Sequence, residues 1–429
     1  MPSEISGKGN SFWHEVRFWL VVAMLGTILF SWLNLNSYCI IGVLILTLID
    51  GRWKANLYNG FTHPLFLSFL LIFLLECAGL LHNHNLKEGL KNVETSAGLI
   101  ALPFLVITGG HFFSSRYNQI MRMYCLLLLL ATVYCVSHAL YNFAKSGNPE
   151  LFFYHQLLSP LQHHAVYFSV FLLIGIVFLF TNNSAKERSA NRKSHIYQSI
   201  LIAWFFFFIV LLASKLMILA GIALMTILWV SKFRGINKTI ALTGISVVTA
   251  VMVILLLSID NPVSKRFFDM FSGNAALFRQ EKFSTDIYFN GLQFRLLNWR
   301  FGFEILNENN AFLMGVSPGD AQQLLNEKFI ATSMYTGDPQ RNDTGLLNYN
   351  FHNQFLQTLV ETGLTGLIAL LINCIFLLRL AFSKKNTTAI CTILLLIFFF
   401  LTESVLERQY GIFLYAFFPL FMMAERFRK

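Results

Sequence analysis

The sequence predicts an all-α integral membrane protein with about twelve transmembrane helices and one large, partly helical loop on its outer face. Hydrophobic residues make up 55% of the 429 positions and charged residues only 13%, a balance that excludes a water-soluble domain of ordinary composition. Apolar runs long enough to cross a hydrocarbon core of about 30 Å recur along the chain. A single polar stretch of roughly 93 residues, 259–351, interrupts them.

The apolar runs define the expected order of the spans. The first run is followed by no small-residue cleavage site, so we expect an uncleaved helix there. We assign helices one to nine to residues 1–258, the loop to residues 259–351, and helices ten to twelve to residues 352–429. The runs are 16–33, 37–49, 64–81, 96–112, 123–143, 164–180, 196–213, 216–230, 239–258, 354–378, 389–402 and 411–424.

The distribution of basic residues orients the chain. With the amino terminus inside, the inner segments hold nineteen of the thirty-two Lys and Arg residues, and the outer connections other than the loop hold five. This bias follows the positive-inside rule and places the loop on the outer face. The net charge of +10 is therefore mostly a matter of topology. We expect membrane lipids around the protein and no nucleic-acid partner.

The sequence offers no metal or disulfide framework. All six cysteines lie in apolar runs, and none lies in the loop. His163 and His164 are adjacent in the sequence and predicted to lie on the outer face, but a zinc site needs wider spacing and further ligands. His82 and His84 are also predicted to lie outside, but nothing in the sequence brings the two pairs together. We therefore predict neither a metal nor another cofactor.

Helical and irregular segments alternate within the loop. Apolar residues recur at helical spacing over 298–306 and 321–329. The segment 315–320, Gly-Val-Ser-Pro-Gly-Asp, predicts a turn that caps the second of these helices. The segment 333–350 is rich in Thr, Asp, Asn and Gly, so we expect it to be irregular.

His352 is the candidate for proton transfer. It lies where the polar loop gives way to the tenth apolar run, in the sequence Asn-Phe-His-Asn-Gln at 350–354. A helix amino terminus disfavours imidazolium, as do nearby arginines. A neutral imidazole with a free nitrogen is what a general base needs. The alternative is an interfacial histidine, or one that interacts with Asn353 at a helix cap.

Fixed cations on the outer face indicate an anionic, phosphate-bearing ligand. The loop carries Arg266, Arg295 and Arg300, and Lys215 occupies the tight outer turn of a helical hairpin. A guanidinium offers a planar fork to phosphate oxygens and stays charged at any relevant pH. The alternatives are lipid-headgroup contacts, pairing with loop carboxylates such as Glu304, and snorkelling of the lysine. The loop holds ten acidic and eight basic residues, so any anion site must be local.

Two further outer segments carry candidate substrate contacts. His164 and Tyr167 open the sixth apolar run, and Glu407 and Arg408 lie in the last outer connection. The alternative for the second pair is a simple ion pair between Arg408 and a carboxylate. Glu76, within the third run, predicts a hydrogen bond between helices.

These segments resemble the O-antigen ligases and Wzy-type polymerases, which are polytopic glycosyltransferases with one large periplasmic loop late in the chain. The topology agrees over the whole chain. The sixth run opens with His-x-x-Tyr-Phe at 164–168, which is similar to the entry of the family's sixth helix. Arg-x-x-x-Trp at 295–299 followed by Gly-Val-x-x-Gly-Asp at 315–320 is similar to the family's loop signature. His-Asn-Gln-Phe-Leu at 352–356 with Glu-Thr-Gly at 361–363 resembles the family's most recognisable motif, and Glu-Ser-x-Leu-Glu-Arg-Gln at 403–409 resembles its closing motif.

The resemblance implies a GT-C-like fold in the bacterial inner membrane, with the loop in the periplasm. It implies transfer of a glycan from undecaprenyl diphosphate to an acceptor hydroxyl, with inversion and without a metal. By the same resemblance, His352 activates the acceptor while Arg266 and Arg295 hold the diphosphate. The family's tight outer turn usually reads Ser-Arg, and Lys215 here keeps the charge but not the bidentate geometry. Further expected substrate contacts are Arg300, His164, Tyr167, Asn353, Glu407 and Arg408.

Several activities fit these motifs. The acceptor is lipid A–core for a ligase, the growing glycan for a polymerase, and a side-chain hydroxyl for a protein O-oligosaccharyltransferase. From another class, a transporter of lipid-linked sugars predicts inverted repeats and charges along a path through the bundle. The chain has no internal repeat, and its candidate groups lie at one surface.

Overall fold

The computed structural model describes residues 3–49, 53–182, 192–232, 280–338, 340 and 343–427. Within these ranges the chain is helical almost throughout and forms no β-strand. The prediction of an all-α protein is confirmed.

Short connections join most of the helices. Single turns of 3₁₀ helix occur at Leu80–His82, Pro149–Phe152, Ser159–Leu161, Val405–Glu407 and Ala424–Phe427. The α-helices of the described part are α1 Ser3–Leu29, α2 Leu33–Ile49, α3 Trp53–Thr62, α4 Pro64–Gly79, α5 Leu86–Ser96, α6 Gly98–Thr108, α7 Gly110–Ser146, α8 Tyr154–Leu157, α9 Ala165–Thr181, α10 Arg192–Leu211, α11 Lys215–Lys232, α12 Gly291–Glu308, α13 Ala321–Ala331, α14 Gln354–Ser383, α15 Thr387–Phe400, α16 Gln409–Ala416 and α17 Phe418–Met422.

The chain is a multi-pass membrane protein. Shorter apolar helices occupy most of the other predicted runs. The ninth run, 239–258, lies outside the described residues, so the total of about twelve spans stays a prediction. By length and composition, five segments of the described part are able to cross a membrane: Phe12–Leu29, Pro64–His82, Leu86–Thr108, Gly110–Ser146 and Gln354–Ser383.

Hydrogen bonds join separate segments of the chain at both ends of the bundle. At the end of α14 far from the loop, the Asn386 amide donates to the Met422 carbonyl at 2.8 Å, which joins two segments predicted to be inner. At the loop end, the Asp320 carboxylate accepts the N–H groups of His84 and Asn85, each at 2.9 Å. The loop is therefore tied to the connection between α4 and α5, which is predicted to be outer.

Polar contacts within the bundle hold α14 in place. Asn373 of α14 donates to the Ser68 hydroxyl of α4 at 2.7 Å and accepts from the Tyr415 hydroxyl. Buried polar groups in a membrane bundle need partners of this kind because lipid offers none. They fix the register of the helix whose outer end begins at the candidate site.

The loop has an apolar core of its own, and both helices predicted within it are present. α12 opens with a capping box, in which the Asn290 side chain accepts from the Gln293 N–H and the Gln293 side chain accepts from the Asn290 N–H. Phe301 of α12 and Phe329 of α13 are fully buried in this core. Val360 belongs to the same cluster, so the loop packs on the first turns of α14. The described residues between α13 and α14 are irregular, as expected.

Two glycines join the loop to α14 through the main chain. At Gly363 the helix leaves helical geometry, with φ 68° and ψ −165°, and Gly315 of the loop has φ 75°. The N–H of Leu364 donates to the carbonyl of Phe312 at 2.8 Å. A Cβ at Gly363 would strike the backbone of Leu313. The Gly-Val-x-x-Gly-Asp and Glu-Thr-Gly motifs thus form one structural joint.

Replacing Gly363 by Ala should disrupt this joint. A side chain is disfavoured by this backbone conformation and has no space, so we expect a loss of about 3 kcal/mol or more. Gly147→Ala is the matched control, because Gly147 has the same φ of 68° with no atom within 4 Å of a Cβ. We expect about 1 kcal/mol there. Thermal unfolding in detergent measures both, and equal unfolding midpoints would contradict the role of the joint.

Candidate active site

His352 lies at the joint between the loop and α14. Its φ of +49° is a left-handed conformation that is uncommon for a residue with a Cβ. Its N–H donates to Asn350 Oδ1 at 3.0 Å. The next residue, Asn353, caps α14 by accepting from the N–H groups of Phe355 and Leu356. The backbone on both sides of the histidine is therefore tied down, and the imidazole is presented at the helix amino terminus.

A buried carboxylate holds the imidazole of His352. Its Nδ1 is 2.9 Å from Oε2 of Glu403, 51 positions later in the chain. The side chain of Glu403 is only 7% exposed, against 18% for His352. Because an ionised carboxylate only accepts hydrogen bonds, this contact assigns the proton to Nδ1 and leaves the lone pair on Nε2.

Arg295 of α12 binds the other oxygen of the same carboxylate. Its Nη2 is 2.7 Å from Oε1 of Glu403. Its Nε donates to the carbonyl of Thr402 at 3.2 Å, and its Nη1 donates to the carbonyl of Gly291 at 3.1 Å. Arg295, Glu403 and His352 thus form a continuous chain of contacts, which we call the triad.

The pKa of Glu403 reflects its two partners. Burial raises this pKa, but the hydrogen bond and charge of His352, together with the charge of Arg295, lower it to about 2. Glu403 is therefore ionised at neutral pH, and its charge stabilises the imidazolium that forms when His352 accepts a proton. Glu403 therefore favours imidazolium at His352, whereas the helix amino terminus and nearby arginines disfavour it.

Buried glutamines of α14 fix the segment that carries Glu403. The Ser404 hydroxyl donates to Gln357 Oε1 at 3.0 Å, and the Leu406 N–H donates to Gln354 Oε1 at 2.6 Å. Both glutamines are buried. His352 and the carboxylate that holds it are thus both attached to the first turn of one helix.

Glu407 lies beside the triad and accepts a hydrogen bond from Asn350 Nδ2. Burial raises the pKa of Glu407 to about 7, against the hydrogen bond of Asn350 and the charge of Arg408, which lower it. Glu407 lines a narrow cavity of about 20 Å³ together with Glu76 and Glu361. Glu407 is therefore largely uncharged below neutral pH, whereas a glutamate with the ordinary pKa of 4.5 would be ionised there.

Arg408, Tyr167 and His164 form a second group, which we call the outer cluster. The Tyr167 ring centroid lies 5.9 Å from the guanidinium carbon of Arg408 and 5.6 Å from the ring centroid of His164. The Tyr167 hydroxyl donates to the Ser404 carbonyl at 3.3 Å, so the outer cluster adjoins the segment that holds Glu403. Arg408 is the member of the outer cluster that carries a fixed charge.

The other predicted residues have separate positions. Arg300 donates through Nε to Glu304 Oε1 at 2.6 Å, which is the carboxylate pairing considered as its alternative. Lys215 is the first residue of α11 and is half-buried, so the predicted helical hairpin is present. The side chain of Asn353 is occupied by the helix cap. Arg266 lies outside the described residues.

Glu403 is the residue that the sequence prediction omits from the site. It belongs to the closing motif, but its type and local sequence do not distinguish it from Glu407. One available signal is its place directly after the apolar run of α15, where an ionisable side chain is costly unless it has a partner.

The comparison with protein families agrees with the predicted resemblance. The family model described as O-antigen ligase matches residues 200–371. The match includes Lys215, Arg295 and His352 and ends before Glu403. No curated protein matches the chain.

Glu407→Gln tests the protonation of this carboxyl. Because the folded-state pKa of about 7 exceeds the ordinary 4.5, the folded protein binds an extra proton between these values and loses stability as the pH rises through them. Gln cannot ionise. We expect the stability of the variant relative to the wild type to grow by up to about 3 kcal/mol between about pH 4 and about pH 8. Parallel curves of unfolding midpoint against pH would contradict this.

Proposed function

Because residues 200–371 match the family model described as O-antigen ligase, we propose that this membrane protein transfers a glycan from undecaprenyl diphosphate to an acceptor hydroxyl on the periplasmic face of the bacterial inner membrane. The family supports glycan transfer of the ligase or polymerase type in general. The donor, the orientation in the membrane and the roles of individual residues are our proposal.

The hydrogen bond between His352 Nδ1 and Glu403 carries the proposal. A histidine whose Nδ1 proton is held by a buried carboxylate has its second nitrogen available as a base, and the carboxylate stabilises the charge that results. General bases of this kind contribute typically about 10²- to 10⁴-fold to a rate. The acceptor of such a protein is a sugar or side-chain hydroxyl, which needs this assistance to act as a nucleophile.

In the proposed step, the acceptor oxygen forms a bond to the anomeric carbon of the donor. The bond from that carbon to the phosphate oxygen breaks, and its electron pair leaves with the diphosphate. Nε2 of His352 takes the hydroxyl proton. One displacement inverts the anomeric configuration. The diphosphate needs neutralisation of its charge more than it needs a proton, so fixed cations can stabilise its departure.

We assign the diphosphate to the outer cluster, with Arg408 as its main cation. The Arg408 side chain is exposed, and its guanidinium forms no hydrogen bond or ion pair with any other residue in the described ranges. The raised pKa of Glu407 leaves this neighbour largely uncharged below neutral pH, so the charge of Arg408 is available to an anion. Lys215 and Arg266 are the further cations that the resemblance assigns to this ligand.

The acceptor distinguishes the proposed ligase from its alternatives. Lipid A–core, a growing glycan and a protein hydroxyl would each present an O–H group to the same base. A transporter is not favoured, because the triad and the outer cluster lie together at one end of the bundle rather than along a path through it.

The lipopolysaccharide profile of a deletion strain tests the function. We expect core lipid without attached glycan, with long polymer accumulating on undecaprenyl diphosphate, and restoration by the wild-type gene. Core that carries a single repeat unit would establish a polymerase instead. An unchanged profile would overturn both lipopolysaccharide activities and favour transfer to protein or transport.

His352→Ala should lower glycan transfer by about 10²-fold or more, because the base is lost. Donor binding and expression should stay near wild type. His82→Ala is the control, since His82 is an exposed histidine predicted to lie on the same face, and it should transfer glycan normally. Turnover by purified protein in vesicles measures both variants. Transfer by His352→Ala within about threefold of wild type would remove the general base from the mechanism.

Arg408→Ala should raise the donor KM by about tenfold, equivalent to about 1.4 kcal/mol of lost charge pairing. Arg408→Lys should lie between this variant and the wild type, because it keeps the charge without the fork. Lys91→Ala removes another cation predicted to be outer, one that pairs with Glu88 at 3.2 Å, and should leave KM unchanged. An equal effect of the Arg408 and Lys91 substitutions would show a general surface-charge effect and not a diphosphate contact.

A further inference from the structure

We propose that Arg295 is a positioning residue that holds Glu403 and, through it, His352, and that it does not bind the donor diphosphate. This inference rests on the proposed function, because it concerns the base of that reaction. It differs from the role that the family resemblance assigns to this arginine.

The first support is that the guanidinium of Arg295 is occupied on all three of its nitrogens. Nη2, Nε and Nη1 donate to Glu403 Oε1, the Thr402 carbonyl and the Gly291 carbonyl. The last of these acceptors is on the same helix, and the other two are adjacent residues of one segment. The plane of the fork is therefore set by protein groups before any ligand arrives.

The second support is the burial of the partner. The side chain of Glu403 is 7% exposed and that of Arg295 is 25% exposed. A diphosphate that captured Arg295 would leave an ionised, buried carboxylate with His352 alone. Breaking a buried pair by removing one partner is strongly unfavourable. Arg408 is exposed and offers an anion its charge without this cost.

The third support is chemical. The charges of Arg295 and Glu403 compensate each other. The carboxylate can therefore orient the imidazole without its negative charge favouring imidazolium before the acceptor arrives. Loss of the arginine would leave Glu403 uncompensated and favour imidazolium, which cannot act as a base. Loss of the carboxylate charge would disfavour imidazolium. Other charged or titratable groups around the triad are Glu407, Arg408, His164, Tyr167 and Tyr349, and they are unchanged in both variants.

These two losses predict opposite shifts in the pH–rate profile. We expect Arg295→Gln to move the acid limb of kcat to higher pH, and Glu403→Gln to move it to lower pH. Each should lower kcat by about tenfold or more while the donor KM stays within about twofold of wild type. A direct diphosphate ligand would instead change KM and leave the acid limb in place.

A double-mutant cycle on transfer by the full-length protein in vesicles tests the assignment. We expect the Arg295→Gln, Glu403→Gln double variant to be no slower than the worse single variant, since both substitutions break the same chain of contacts. Arg295→Lys should restore most of the pH profile because it keeps the charge beside Glu403. Lys328→Gln is the matched control, since it removes an ion pair with Glu304 at 3.1 Å elsewhere in the loop, and it should leave the profile and kcat unchanged.

Three outcomes decide the inference. Opposite shifts of the acid limb with a non-additive cycle would support it. A donor KM raised about tenfold in Arg295→Gln, with effects that multiply with those of Glu403→Gln, would return Arg295 to the diphosphate while leaving His352 as the base. Normal turnover by His352→Ala in the same assay would overturn the proposed base, and the positioning role with it.

Discussion

The buried charge of Glu403 constrains the whole outer face of the protein. A carboxylate that is 7% exposed needs partners, because an unpaired charge in such a place costs several kcal/mol. Its two partners come from distant parts of the chain: Arg295 from the first helix of the loop, and His352 from the start of α14. Docking of the loop on α14 therefore brings to Glu403 the partner that comes from the loop.

Docking itself relies on main-chain contacts. Gly315 and Gly363 allow the loop and α14 to approach so closely that a Cβ on either would strike the backbone of the other. The approach also determines where α14 begins. Asn353 caps the helix there, and the left-handed backbone of His352 turns its ring toward Glu403. The motif glycines thus act on the geometry of the proposed base, which must be accurate to within about 0.5 Å to be productive.

Much of this architecture was predictable from the sequence. Hydropathy locates the apolar helices, helical periodicity locates α12 and α13, and the change from polar to apolar sequence identifies His352. These signals are local. The pairing of Arg295 with Glu403 spans 108 positions and depends on the path of the loop, which no local pattern encodes. By contrast, the pairing of Arg300 with Glu304 is a local i,i+4 contact and was among the alternatives drawn from the sequence.

A transferase of this kind has to satisfy two opposing electrostatic demands. In the proposed reaction, the leaving diphosphate requires positive charge, whereas a histidine base requires surroundings that tolerate the imidazolium formed when it takes the proton. A single pool of cations around both centres would meet the first demand, but it would oppose the imidazolium that forms during the reaction. Here Arg295 is neutralised by Glu403 next to the proposed base, and Arg408 keeps its charge at the outer cluster. In the proposed mechanism, this separate placement of the two arginines lets one site bind an anion and still accept a proton.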